Sequence, residues 1–571
     1  MVRTVREHRS SSVLPASGEG EALWLVGARD AAPITDNSDT SPAPRGLVPC
    51  PVRISRIPRV RRTISARTLL LITAVLPDEA LGVCRGAAVH PTIRGHSVKV
   101  ILVGGGPVSS LAAAGLRRRG AEVTLYERHS DPRSGSARPG HSFNITLTRR
   151  GLRHLTPQVR DIVYGHGVVL SKRVIHRRDG SVETEHYGIE ANDHLLTISR
   201  SVLARILLTE AEAAGADVRF GYDCIGVDAE SATVRVVHDG RVSSDEADLI
   251  VGCDGAGSTV RQALIRCGGR LDIHQEFLPH GHVELNMPAG PDGRHVTLDS
   301  SDHYRRGEFA HGMHVWPRGD YMLIAQPNID GSYTVTLFMP HNRSSGPTFR
   351  DLRTAADVTC LFTREFPDAF RNLPALVEDF FSAPASPLRT VNCYPFHHKR
   401  AVLLGDAAHT IAPFFGQGIN CSFEDVGALL HLVDGDRPVH GALESFSRLR
   451  AQPSRAIADL SLAHLLALAS HRDDPRASMR EQLERELHEL CPDRFAPLYW
   501  LVAFSDLPYD EAVARYQRDS DLIDWLCTRF DPYTERHHIV RLFQEHVAGS
   551  PPLGPASPHM PPLILPTGAR P

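Results

Sequence analysis

Lysine is nearly missing from this chain: Lys99, Lys172 and Lys399 are the only three, and arginine carries the remaining positive charge. The arginine bias runs through the whole chain and belongs to no particular face, so it marks composition and not a binding surface. Neither sign of charge prevails, with 63 basic against 66 acidic side chains and a formal net charge of −3. That balance argues against a nucleic-acid footprint and for a small-molecule partner. The ten cysteines contain no Cys-x-x-Cys pair, which leaves neither a zinc site nor a disulfide framework to build on. None of the 31 histidines falls in a metal spacing such as His-Glu-x-x-His, so they read as solvated or singly hydrogen-bonded and no metal is expected. No apolar run reaches the length needed to cross a bilayer. The expectation is a soluble, cytoplasmic chain with no membrane span, no nucleic-acid partner and an oligomeric state that sequence leaves open.

A chain of 571 residues is too long for one ordinary core, and two interleaved or consecutive domains are expected. Residues 1–97 stand apart: rich in Pro, Ser, Gly and Arg, they have too little apolar periodicity to offset chain entropy. They read as a disordered or leader extension. Within them Arg61-Arg62-Thr-Ile-Ser-Ala-Arg precedes the apolar run Thr68–Leu76, a pattern that a twin-arginine export signal or an organellar presequence also shows. An upstream leader or over-extended start is the reading adopted, with the folded protein beginning near Val98. Residues 531–571 are assigned to a Pro-rich tail.

Three separated segments carry the chemistry. Val98–Glu127 opens with Val-Lys-Val-Ile-Leu-Val-Gly-Gly-Gly-Pro-Val-Ser-Ser and passes into an Ala/Leu/Arg stretch of helical spacing, which reads as strand, tight turn and helix. Gly104 permits the turn, Gly106 lets the backbone approach a pyrophosphate, and the helix N-terminus presents free amides to it. Glu127 ends the next strand, where an acid can bind ribose hydroxyls. Ser109 replaces the third glycine of the fingerprint. Alone, this motif serves FAD, a nicotinamide cofactor or a glycine-rich turn with no ligand. Asp248–Arg261 is a second strand running into an Asp-Gly turn and a helix that carries Arg261. Ala401–Asp425 is the third, with Gly-Asp at 405–406 and Pro-Phe-Phe-Gly-Gln-Gly-Ile-Asn at 413–420.

Between the motifs the pattern turns to strand after strand. His282–Met287, Met313–Trp316, Tyr321–Ala325 and Tyr333–Met339 are β-rich runs separated by turn residues, which predicts an antiparallel sheet inserted at about 270–395. From Ala442 to Asp524 the spacing is helical, as in Ile457, Leu460, Leu465 and Leu468. The fold class expected is α/β: a Rossmann-like FAD-binding domain over 98–435, interleaved with the antiparallel substrate sheet and followed by C-terminal helices over 436–530.

Taken in order and at their spacing, the second and third segments resemble the DG and GD motifs of the single-component flavoprotein aromatic hydroxylases. Further segments narrow the likeness: Ser-Phe-Asn-Ile-Thr-Leu-Thr-Arg-Arg-Gly (142–151), Phe-Leu-Pro-His-Gly-His-Val-Glu-Leu (277–285), Val-Trp-Pro-Arg (315–318), Thr-Leu-Phe-Met-Pro (336–340), Phe-Ser-Arg-Leu-Arg (446–450) and Phe-Ala-Pro-Leu-Tyr (495–499). From Val98 to about Ile523 the chain resembles the kynurenine 3-monooxygenase family. The resemblance implies bound FAD, NADPH and O2 as co-substrates, and a small aromatic amino acid, L-kynurenine, hydroxylated beside its aniline nitrogen through a flavin C4a-hydroperoxide. No second nucleotide fingerprint is visible for NADPH, and the resemblance requires none. No catalytic acid or base stands out.

The same resemblance implies the site residues. For the flavin they are Gly104, Gly106, Val108, the strand end Tyr126, Glu127, Arg128 and His129, then Thr146, Arg200, Cys224, Asp254, Asp406, Ile419 and Asn420. Asp406 is the GD aspartate that holds the ribityl chain, and Arg200 the cation near the phosphates or ring system. For the substrate they are Arg173 and Tyr187 at its carboxylate, with Tyr499 as a further contact. His464 stands where the family has an asparagine, and Ala467 where it has a glutamate. A histidine offers a donor or acceptor of different reach. A modified kynurenine, another aromatic substrate, or a non-catalytic flavin-binding protein are therefore the competing readings.

Overall fold

The three motif strands, far apart in sequence, are neighbours in one parallel sheet. Lys99–Val103 lies between Glu122–Glu127 and Leu249–Gly252, and Leu249–Gly252 in turn pairs with Ala401–Leu403. Asp217–Phe220 and the antiparallel pair His397–His398 complete a sheet of six strands. Register aligns their carboxyl ends, Val103 opposite Gly252 and Gly252 opposite Leu403, so the three turns that follow open on the same edge. Val100, Ile101, Leu102 and Val103 are all buried, as expected of a strand covered on both faces. The computed structural model describes residues 98–134, 143–189, 193–296, 312–343, 346–433, 439–470 and 475–549. These residues fall within one compact unit, 87–571.

Local chemistry explains the first helix, Pro107–Arg118. Proline occupies its first turn, Ala112, Ala113 and Ala114 sit on the sheet, Arg117 and Arg118 lie in the last turn, and Gly120 at φ +86° turns the chain back. Ser109 is fully buried and donates its hydroxyl to Gly106 O at 2.8 Å, so the residue replacing the third glycine satisfies its own polar atom.

A second sheet has eight strands, in the order His409–Thr410, Ser386–Tyr394, Asp272–Met287, Tyr333–Pro340, Met322–Pro327, Gly312–Pro317, Lys172–His176, Val182–His186. Its two faces alternate strictly. Leu323, Ala325, Val335 and Leu337 join a core with Phe362 and Phe366, whereas Met322, Ile324, Thr336 and Phe338 face a large cavity. Two expectations are corrected. The sheet is not confined to about 270–395, because Lys172–His176, Val182–His186 and His409–Thr410 join it from outside; and it is not wholly antiparallel, because Lys172–His176 pairs parallel with Gly312–Pro317. Both depend on long-range pairing that no local pattern encodes.

Helices Val439–Ser470, Pro475–Leu490, Leu498–Ala503 and Tyr509–Arg529 form the C-terminal region. A further helix, Arg536–Val547, buries Ile539, Val540 and Phe543, so residues 536–547 belong to the helical region and not to the tail. The expectations for residues 1–97, and for the end of the chain from 550, lie outside the described residues. Among the described residues no helix is long and apolar enough to cross a membrane.

Candidate active site

A cavity of about 1040 Å³ lies between the aligned strand ends, the inner face of the eight-stranded sheet and the C-terminal helices. One part of its wall comes from the three motif turns. Gly104 stands at φ +101°, and a Cβ there would lie 2.6 Å from Cys253 O, so the first turn is packed directly on the second. A Cβ on Gly105 would meet Glu127, whose carboxylate accepts from the Gly105 amide and, at 2.8 Å, from the His129 amide. Gly106 is different: nothing lies within 4 Å of its Cβ direction, and it opens on the cavity. Its helix has no side-chain cap and no acid in the first turn, leaving the N-terminal amides available to an anion.

Asp406 faces the same space. Its carboxylate has no hydrogen-bond partner among the described residues, and burial pushes its pKa up against the pull of Arg200, His409 and Arg389. Arg200 also lines the wall, at the start of helix Arg200–Ala213. An uncapped helix start beside open space, a half-buried carboxylate with no hydrogen-bond partner among the described residues and a neighbouring cation are the groups that an adenine dinucleotide with a polyol chain requires. These residues fit FAD. Gly418 and Ile419 begin helix Gly418–Val433 against the cavity, after Phe414, Phe415 and the left-handed Gly416 at φ +66°.

Of the residues expected to contact the flavin, Gly106, Val108, Thr146, Arg200, Asp406 and Ile419 line this cavity. Gly104, Tyr126, Glu127, Arg128, His129, Cys224, Asp254 and Asn420 do not, and for several the structure supplies another role. Asn420 is wholly buried and spends its amide on the backbone, accepting from Thr148 N at 2.9 Å and donating to Thr146 O and Gly416 O. Asp254 caps helix Thr259–Arg266 through Val260 N and accepts from the Ser258 hydroxyl. The Tyr126 hydroxyl donates to Asp245 at 2.9 Å, and Cys224 is a core residue whose thiol burial pushes up to about 12. Arg261 links two motifs by donating to Ala407 O at 2.7 Å and to Ala256 O at 2.6 Å.

The other part of the wall is the expected substrate group. Arg173, Tyr187, His464 and Tyr499 all line the cavity. The Tyr187 and Tyr499 rings lie 5.5 Å apart, Phe415 stands 5.4 Å from Tyr499, and His464 meets Phe415 edge-on at 5.2 Å. The Tyr187 hydroxyl is buried without a hydrogen-bond partner. Burial pushes both phenols well up, so each remains an O–H donor. Burial works against the charge of Arg173, yet Glu185 and the two tyrosines hold its pKa above the ordinary value.

Sequence reasoning missed Glu185, which pairs with Arg173: Nε donates at 2.9 Å and Nη2 donates to the same carboxylate oxygen. The signal was present. Asp179-Gly180 turns a hairpin whose register pairs His176 with Val182 and therefore Arg173 with Glu185. Arg480, Glu481, Glu484 and Arg485 of helix Pro475–Leu490 were missed as well, because a charged helical face reads as solvated. His409, Cys421 and Asp425 are close enough to ligate a metal, but Arg450 already bonds Asp425 and Cys421 there.

Residues 97–459 match the family described as FAD binding domain. A kynurenine 3-monooxygenase of Stenotrophomonas maltophilia is 37% identical over 429 residues, covering 74% of this chain and 90% of that protein. One from Sus scrofa is 36% identical over 74% of this chain and 88% of its own length. Among solved structures, 2-methyl-3-hydroxypyridine-5-carboxylic acid oxygenase superposes with a TM-score of 0.53 at 21% identity, over 70% of this chain and 99% of that one. PqsL of P. aeruginosa, solved with 2-aminobenzoylacetate, gives 0.52 at 19% identity, over 66% and 97%. These two likenesses concern the fold.

Proposed function

We propose, for a chain that belongs to the kynurenine 3-monooxygenase family, that it hydroxylates the aromatic ring of L-kynurenine as an FAD-dependent monooxygenase consuming NADPH and O2. FAD, when bound, supplies the redox and oxygen-activating chemistry. The protein's part is to bind, orient and exclude water. In this reading the amides at the start of Pro107–Arg118 take the pyrophosphate, Asp406 accepts from the ribityl hydroxyls, and Arg200 balances negative charge. The start of Gly418–Val433 directs its amides and positive dipole end to the ring system.

The observation that carries the substrate assignment is the convergence of Arg173, Tyr187 and Tyr499 on the cavity that also holds Asp406. A carboxylate drawn from water into such a pocket needs charge-assisted partners, and a guanidinium with two phenol donors provides them. Phe338, Phe414 and Phe415 supply apolar wall for the aromatic ring and keep water from it. No side chain is assigned as acid or base.

The decisive measurement is the mass of the product formed from kynurenine, NADPH and air by the purified full chain. A product heavier by one oxygen supports the reading, whereas NADPH consumption yielding only peroxide and unchanged kynurenine counts against it. His464 against Phe415 favours one second reading, a ring-modified kynurenine as the preferred substrate, and a panel of substituted kynurenines scored by product decides it. A cytoplasmic location is part of the same proposal, and fractionation of cells expressing the chain checks it.

A further inference from the structure

Arg173 and Glu185 are directly opposed across the hairpin of Lys172–His176 and Val182–His186, and both line the cavity. Their side chains are 32% and 16% exposed, so the pair is largely withdrawn from water. Its hydrogen bonding is one-sided. Nε and Nη2 of Arg173 both donate to Oε2 of Glu185, while Oε1 of Glu185 and Nη1 of Arg173 have no partner among the described residues. Beside Nη1's guanidinium stand the two tyrosines, and the Tyr187 hydroxyl, in a residue only 9% exposed, has no partner either. A charged pair that leaves one donor and one acceptor unused, next to an unpartnered buried donor, is built to receive a ligand bearing both charges.

We propose that Glu185 is the binding residue for the substrate's α-ammonium group, so that Arg173 and Glu185 together form a clamp for a zwitterionic amino acid. This deepens the kynurenine reading and rests on it. Arg173 Nη1 and the Tyr187 and Tyr499 hydroxyls receive the carboxylate, and Glu185 Oε1 receives the ammonium on the same carbon. Glu185 also acts as a repulsive element. An aromatic acid without the amino group adds a second carboxylate to the one guanidinium of Arg173 and leaves Glu185 Oε1 without a cation of its own, so the pocket discriminates against simple aromatic carboxylates. The helix packed over this part of the wall brings Arg480, Glu481, Glu484 and Arg485 to the same cavity, and burial together with Glu185 raises the Glu481 pKa.

The test is a double-mutant cycle in the FAD-loaded enzyme, with L-kynurenine and its deaminated analogue, which keeps the carboxylate, ketone and aniline ring. Dissociation constants are read from the flavin absorbance change for wild type and Glu185→Gln. The expected result is a loss of about tenfold or more for kynurenine, the range of a charge-assisted hydrogen bond, with the analogue bound equally well or better by the variant. Equal losses for both ligands, or none for either, would overturn the proposal by showing a cross-strand pair with only a structural role. If the Gln variant does not fold, Glu185→Asp retains the charge but withdraws it by one methylene, and the same selective loss for kynurenine is expected. Wild type that binds neither ligand fails the kynurenine reading itself, an outcome distinct from equal losses.

Discussion

Arg450 donates from Nε to Asp425 at 2.7 Å, joining the long helix Val439–Ser470 to the helix Gly418–Val433 within the protein's interior. The second oxygen of Asp425 accepts from the Gly405 amide at 3.1 Å and is bonded to His409. Glu424 extends the network, bonded at 3.1 Å by Arg450 and at 2.9 Å by Arg150, whose guanidinium also donates to Leu501 O. One buried ionic ladder thus holds the turn that carries Asp406 and connects it to the C-terminal helices.

Removing Asp425 should therefore destabilise the whole protein. Removing one partner of a buried ion pair costs about 3–5 kcal/mol, and Asp425→Ala, which leaves Arg450 with Glu424 as its remaining carboxylate partner, should lower the melting temperature markedly. The pH sign follows from the carboxyl's depressed value. Burial pushes the pKa up, but His409 and Arg450 more than reverse this and hold it at about 2. A depressed folded-state pKa means that the stabilisation is present above the unfolded value of roughly 4 and is lost as pH falls toward 2. Acid unfolding of wild type should steepen across that window, and Asp425→Asn should flatten it.

Asp406→Ala should empty the flavin site without unfolding the chain. A charged acceptor contributes on the order of 1.5–3 kcal/mol per hydrogen bond, which weakens FAD by about tenfold to a hundredfold. Flavin content after gel filtration checks this, and full occupancy in the variant would remove the assignment.

Two neighbouring glycines should respond in opposite ways. Gly104→Ala forces a Cβ onto Cys253 O at φ +101° and should cost about 2 kcal/mol or more in unfolding measurements, with or without flavin. Gly106→Ala meets nothing in the protein and sits at φ −79°, so thermal stability without flavin should hold while FAD affinity falls.

Arg173→Ala should raise the kynurenine dissociation constant by about 10²-fold, because it removes the carboxylate partner and leaves Glu185 unpaired in the cavity. FAD content should stay at the wild-type level, since Arg173 is on the hairpin and not on a motif turn. Arg173→Lys keeps the charge but loses the planar fork, and an intermediate constant is expected from the same titration.

Local pattern was enough to specify the individual elements. Each of the segments 98–127, 248–261 and 401–425 is a strand, a turn and a helix start encoded by residues close together in the chain, with a glycine or an Asp-Gly where the turn demands it. β-rich runs between turn residues likewise marked Tyr321–Ala325 and Tyr333–Met339, and helical spacing marked Ile457 and Leu465. The tertiary structure alone decided what these elements meet. It set Leu249–Gly252 between Lys99–Val103 and Ala401–Leu403, brought Lys172–His176 into a sheet some hundred residues downstream, and bonded Asn420 and Asp254 to backbone groups. The physical reason is that strand pairing and the satisfaction of buried polar groups are non-local: a carboxamide or carboxylate bonds whichever amide the packed chain presents. Glu185 stands between the two cases. Its place opposite Arg173 follows from a hairpin legible in sequence, but only the cavity beside it turns that pair from a sheet-edge contact into a candidate for recognition.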